Sequence, residues 1–162
     1  MHPTSLLELC GDLLRALLRF DAPADGVLSA FFRGHRTLGP RERHTVAETA
    51  YAVLRQRLLF QHFAQSGSGA IERRLAIIGW QGSEGYLQSA LESHEQLWLQ
   101  RCRAVDVSAL QDKLRHNLPD WLAGALREQM ADADFWALAQ TLNQPAPLDL
   151  RVNTLKAKRE AV

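Results

Sequence analysis

The chain has 162 residues, with nineteen Lys+Arg against eighteen Asp+Glu, a formal net charge of +1 and 46% hydrophobic residues. That balance excludes a disordered, histone-like or acidic solvating chain, and two cysteines exclude a disulfide scaffold. Apolar runs such as Leu75-Ala76-Ile77-Ile78 are far too short to cross a bilayer, and no signal peptide opens the chain, so a reduced, cytoplasmic location is the expectation.

The pattern is mostly helical. From Thr4 to Phe20, apolar residues recur at Leu6, Leu9, Leu13, Leu17 and at Leu7, Cys10, Leu14, Leu18. Spacings of three and four trace one helix face, with Thr4 or Ser5 as its cap. Asp21-Ala22-Pro23 breaks this helix. The next carries Ala24, Val27, Leu28, Phe31 and Phe32 inward. Leu38-Gly39-Pro40 is a turn, and Pro40 suits a first helical position, where its missing N–H costs nothing. The pattern predicts one third helix from Pro40 to about Ala64, with Val46, Ala47, Ala50, Val53, Leu54 and Leu58 inward. Ser66-Gly67-Ser68-Gly69 ends it.

A short apolar helix is expected over 70–80, a turn at Gly82-Ser83-Glu84-Gly85, and a single helix from Tyr86 to about Arg103. Leu87, Leu91, Trp98 and Cys102 are its inward candidates. Ser108 is the expected cap after the break at Val105-Asp106-Val107. Two or three helices then run to Gln144, and Asp132 and Asp134 mark a start.

After Pro145-Ala146-Pro147 the texture changes. Leu148 to Leu155 alternates apolar and polar residues, the period of a half-buried strand, and Lys156 to Val162 reads as a helix opening. A lone strand cannot pair its own edges. The expectation is therefore an unfinished α/β unit, and a chain that is a fragment of a longer protein.

Little in the chain suggests catalysis. His94-Glu95-Gln96-Leu97-Trp98 begins like a zinc-protease helix, but Trp98 stands where the second His must be. His94 and Glu95 then read as solvent-facing, with Trp98 packed inward. The glycines do not follow a strand as a nucleotide loop requires. Cys10 and Cys102 sit at apolar helical positions, as buried thiols do. No catalytic site and no metal site is expected.

The charge is uneven. Sixteen of the nineteen basic residues are Arg, and the stretch Arg33 to Arg57 holds six Arg against Glu42 and Glu48, a local charge of +4. Arg41, His44, Glu48 and Arg55 share one helical stripe, and Arg33 and Arg36 lead into the turn before it. Guanidinium groups beside a helix start suit phosphate, so Arg33, Arg36, Arg41 and Arg55 are RNA-contact candidates. The alternative is a solvated face. Arg43 is expected to be architectural, half buried beside Asp25, and Arg57 also lies near the apolar face. In the tail, Arg151 and Asn153 point to one side of the expected strand, with Lys156 just beyond. All three carry donors of the kind that read phosphate or ribose.

Pro147-Leu148-Asp149-Leu150-Arg151-Val152-Asn153-Thr154-Leu155-Lys156 resembles the signature that opens the RNA-binding subdomain of the RsmB (Fmu/Sun) family, which are S-adenosylmethionine-dependent ribosomal RNA cytosine-5 methyltransferases. Leu118-Pro119-Asp120-Trp121-Leu122 and Leu142-Asn143-Gln144-Pro145 are similar to its lead-in. Ala24-Asp25, Phe31-Phe32-Arg33, Leu38-Gly39-Pro40-Arg41-Glu42-Arg43 and Val53-Leu54-Arg55 resemble the NusB-like helical domain that bacterial members carry in front. The resemblance implies a mainly α fold: a NusB-like helical bundle over 1–106, then over 107–162 a helical lead-in and the first strand and helix start of an incomplete α/β RNA-binding subdomain. It implies an RNA-binding role, with ribosomal RNA, of the small subunit, as partner and Arg151 and Asn153 placing the strand. S-adenosylmethionine and the nucleophilic cysteine belong to a catalytic domain beyond these residues, so the chain itself carries no cofactor. The alternatives are a free NusB-like antitermination factor and a helical protein-interaction domain.

Overall fold

The computed structural model describes residues 1–147 and 151–159. Among them are ten α-helices and no strand: α1 (Pro3–Leu17), α2 (Ala24–Gly34), α3 (Pro40–Arg55), α4 (Arg57–Ala64), α5 (Ile71–Ile78), α6 (Glu84–Gln88), α7 (Ser93–Arg103), α8 (Asp112–His116), α9 (Asp120–Gln129) and α10 (Asp132–Leu142). No helix among the described residues is long and apolar enough to cross a membrane.

The hub is α1. Leu6, Leu7, Cys10, Leu13, Leu14 and Leu17 form its buried stripe, and it packs against α2, α3, α5 and α6. Each fully buried leucine contributes about 2 kcal/mol of hydrophobic stabilisation. Val46, Ala50 and Val53 of α3, Leu75, Ala76 and Ile77 of α5, and Leu87, Trp98, Leu99 and Cys102 from the later helices close this first core. α2 lays Ala24, Val27, Leu28, Phe31 and Phe32 against it, the side expected from their spacing. A second, smaller core holds Leu118, Ala123, Phe135 and Ala139, flanked by Leu122, Leu126, Met130 and Trp136. Helices α4 and α8 pack together where the two cores meet.

Tight contacts hold the elements in place. Gly79 ends α5 directly over α3, where an added Cβ would stand 2.5 Å from Val53 Cγ2, so only glycine fits. Buried Thr49 Oγ1 accepts the Gln81 N–H at 3.1 Å. Arg73 of α5 reaches α7, donating from Nε to Glu95 Oε1 at 2.6 Å and from Nη2 to Glu95 Oε2 at 2.9 Å.

Several expectations are corrected. The expected third helix is two helices, broken at Gln56, because the side chain of Asn117 occupies the break (below). The helix expected from Tyr86 to Arg103 is also two. Glu95 Oε2 accepts the Glu92 N–H at 3.0 Å, a cap that starts α7 afresh, and Gln96 donates to the Gln88 and Leu91 carbonyls across the gap. α1 starts at Pro3 with His2 as its cap, since the fixed φ of proline favours the first turn. Asp106 rather than Ser108 caps the 3₁₀ turn at Val107–Ala109, its carboxylate accepting the Ser108 N–H at 2.9 Å. Glu95 is buried against Arg73, not solvent-facing.

The expected strand ran from Leu148 to Leu155. Leu148–Leu150 lie outside the described residues. Arg151–Asn153 have no regular structure, and Thr154–Lys156 form a turn. The Asn153 side chain explains the turn. Its Oδ1 accepts the Leu155 N–H at 3.1 Å, and its backbone carbonyl accepts from Lys156 N at 2.8 Å and from Ala157 N at 3.0 Å, a local pattern that competes with extension. The helix opening expected from Lys156 runs partly into residues 160–162, which also lie outside the described set.

Candidate functional site

The basic residues singled out by sequence are spread over three places. Arg33 lies in the last turn of α2, Arg36 in the loop after it, and both are exposed, with Arg36 Nε donating to the Arg33 carbonyl at 3.3 Å. Arg41 sits in the first turn of α3 and lines a cleft of about 810 Å³ with Trp80 and Tyr86, whose rings stack at 6.3 Å. Arg55 is at the far end of α3, about 20 Å along the helix axis from Arg41, and is half buried with Glu48 3.9 Å away. Arg41 and Arg55 therefore share a helix but not a site. Arg151, Asn153 and Lys156 are exposed, and Asn153 uses its Oδ1 locally.

Arg43 is architectural, as expected, but its partner is not Asp25. Its Nε donates to the Leu38 carbonyl at 2.9 Å, its Nη2 to the His35 carbonyl at 3.4 Å, and its guanidinium lies 5.2 Å from the Phe32 ring centre. It ties the α2–α3 turn to α2, so a charge on this stretch is spent on the fold.

The seam between the two cores is the most chemically organised part of the surface. Asn117 follows α8 with a left-handed backbone, φ +55°. Its Oδ1 accepts the Leu58 N–H at 2.8 Å and the Leu59 N–H at 3.4 Å, and its Nδ2 donates to the Arg55 carbonyl and to Asn143 Oδ1. One amide thus satisfies donors and an acceptor freed by the α3–α4 break. Asn143, from the lead-in motif, donates in turn to the His116 carbonyl at 3.1 Å, and Leu118 of that motif is core. Those motif residues build the seam.

Beside this network runs a groove of about 420 Å³, lined by Leu54, Arg55, Arg57, Lys113, Pro119 and Asp120 among others. Three cations face one carboxylate, and Lys113 Nζ lies 2.7 Å from Asp120 with both side chains well exposed. Arg57 extends to the Phe20 ring, 5.1 Å from its centre. Phe20 is 60% exposed and has φ +57°, a left-handed conformation that costs a bulky residue about 1–2 kcal/mol. Next to Asp120, Trp121 is 74% exposed. Sequence reasoning found Arg55 here but missed Lys113, Phe20 and Trp121. The signal was present for Trp121, which lies off the Leu122–Leu126 stripe of α9.

On the other side of α8, Asp112 pairs with Arg115 and Arg127, each at 3.0 Å, and both guanidinium groups lie over Trp136, at 4.4 and 5.5 Å. His116 is buried between Phe135 and Trp136, and its Nδ1 accepts the Leu118 N–H at 3.0 Å. Burial first, then the Arg127 charge, holds its pKa below the ordinary histidine value.

The two thiols are not activated. Burial pushes the Cys10 thiol up to about 12 and raises Cys102, against the lowered pKa a nucleophilic thiol needs. Among the described residues no group of three His, Cys, Asp or Glu side chains is placed to hold a metal ion. Among the described residues no strand leads into a glycine-rich loop.

Comparison with known proteins gives one match. Residues 118–162 match the family model of the RsmF/B-like methyltransferase ferredoxin-like domain. At a coarse level this supports the rRNA methyltransferase resemblance drawn from the tail and lead-in motifs. No curated protein and no solved structure matches the chain.

Proposed function

We propose that this chain is the RNA-binding region of an S-adenosylmethionine-dependent rRNA cytosine-5 methyltransferase. In this reading residues 1–106 form a NusB-like helical domain, and residues 107–162 lead into the subdomain that presents ribosomal RNA of the small subunit. The observation that carries it is the match of residues 118–162 to the RsmF/B-like ferredoxin-like domain. The methyl donor and the nucleophilic cysteine belong to a separate catalytic domain, consistent with two buried, high-pKa thiols here. The chain's own part is affinity and placement: exposed Arg33, Arg36, Arg41, Arg151 and Lys156 offer cationic donors to a phosphate backbone, and half-buried Arg55 and exposed Asn153 add further donors. A cytoplasmic protein is the matching location.

Titrating the 162-residue chain with small-subunit rRNA fragments at increasing salt tests this. Binding is expected to weaken on the order of tenfold or more between low and physiological salt, as released counterions require. In the methyltransferase containing this region, Arg151→Ala is expected to lower methylation with the thermal midpoint unchanged. Absent or salt-insensitive binding overturns the proposal and favours a helical protein-interaction domain.

A further inference from the structure

We infer that the groove at the seam between the two cores is a track for single-stranded RNA, with Arg55, Arg57 and Lys113 on the phosphates and Phe20 and Trp121 as stacking platforms; this rests on the RNA reading above and adds the site and the strandedness. Proteins that hold single strands pair a positive groove with exposed aromatic faces, because an unstacked base offers its π-faces while a base in a duplex has them covered by its stacked neighbours. Both parts are present. The groove lining carries three cations against one acid, with Glu48, outside the lining, 3.9 Å from Arg55. Trp121, next in sequence to lining residue Asp120, and Phe20, under the guanidinium of lining residue Arg57, are large, well-exposed rings.

Neither ring is exposed by accident of composition. Phe20 occupies a left-handed position that favours glycine, so an aromatic ring is held outside the core at a conformational cost. Trp121 stands on α9 away from the face that Leu122, Ala123 and Leu126 bury. The single acid is weakly committed. Asp120 and Lys113 form an exposed pair, which contributes little to stability, so a phosphate can replace the carboxylate on Lys113 cheaply. An acidic peptide would satisfy the cations but leave the two rings without flat partners.

The test uses the 162-residue chain, a labelled oligouridylate, and the same strand annealed to its complement. The single strand is expected to bind more tightly than the duplex and to quench tryptophan emission. Trp121→Ala should weaken single-strand binding about tenfold, the usual worth of one stacked base, and abolish the quenching. Phe20→Leu should weaken binding by a few-fold, and Arg57→Ala should also flatten the salt dependence. Asp120→Asn should tighten binding. Trp121 and Asp120 are exposed, so these variants keep the helical circular dichroism spectrum. Equal or tighter duplex binding, unchanged affinity in Trp121→Ala, or equal competition by polyglutamate overturns the groove. If Arg151→Ala and Lys156→Ala weaken binding while the groove variants do not, the groove fails and the RNA reading stands. If no RNA binds at low salt, both fail.

Discussion

The side-chain oxygen of Asn117 accepts the backbone N–H of Leu58 at 2.8 Å, across fifty-nine residues of sequence. Through this bond, and the one its Nδ2 makes to the Arg55 carbonyl, the loop after α8 sets the point where α3 ends and α4 begins. The bend at Gln56 is thus a tertiary feature written into what reads as one continuous helix.

Asn117 is expected to be sensitive in two separable ways. Asn117→Gly keeps the left-handed backbone and loses the hydrogen bonds, for a cost of about 1–2 kcal/mol. Asn117→Ala also meets the left-handed strain and should cost about 1 kcal/mol more. Urea denaturation of the two variants checks the order; an alanine variant as stable as the glycine variant contradicts it.

The Arg73–Glu95 pair is expected to be the most costly ion pair to break. Glu95 Oε2 also accepts the Glu92 N–H at 3.0 Å, and Arg73 Nη2 donates to the Ala90 carbonyl. Glu95→Gln removes the charge that compensates a half-buried guanidinium and should cost about 3 kcal/mol, whereas Lys113→Ala at the exposed pair should cost under about 1 kcal/mol. Paired chemical denaturation curves give the comparison, and similar losses in the two would refute it.

His116 predicts a pH dependence. Its folded pKa is lowered, so the unfolded chain binds the proton first as pH falls. The stability it contributes is complete above about pH 6.5 and is lost progressively below that value, down through the folded pKa. The thermal midpoint should therefore drop between pH 7 and pH 5. His116→Asn, which retains a short acceptor, should show a smaller drop. An equal drop in both assigns the effect elsewhere.

Neither thiol should react in the native state. Cys10 and Cys102 are both buried with raised pKa values. Iodoacetamide at neutral pH is expected to modify both only after denaturation, as mass spectrometry would show. Rapid labelling of either in the folded chain contradicts this.

Helix placement along 1–55 and 112–142 was largely legible in the sequence, because amphipathic spacing records which side chains meet a core. The inward faces of α1, α2 and α3 and the burial of both cysteines follow that rule. The methyltransferase resemblance also came from local residues, and the family match falls on the same tail and lead-in segments. The breaks at Gln56 and between α6 and α7 were not legible, since apolar periodicity continues through both. They depend on Asn117 and on the Glu92–Glu95 cap meeting particular backbone groups.

Sequence by itself determined the helical character, the buried stripes and the excess of arginine, all properties of residue type and spacing. Only the tertiary structure decided which charges are free. It turned Arg43 and Arg73 inward onto carbonyls and a carboxylate, and it brought Arg55, Arg57 and Lys113 to one groove, with the exposed Phe20 ring under Arg57. The physical reason is that a guanidinium's role depends on which partners lie within about 3 Å, and that distance is set by chain folding between residues far apart in sequence.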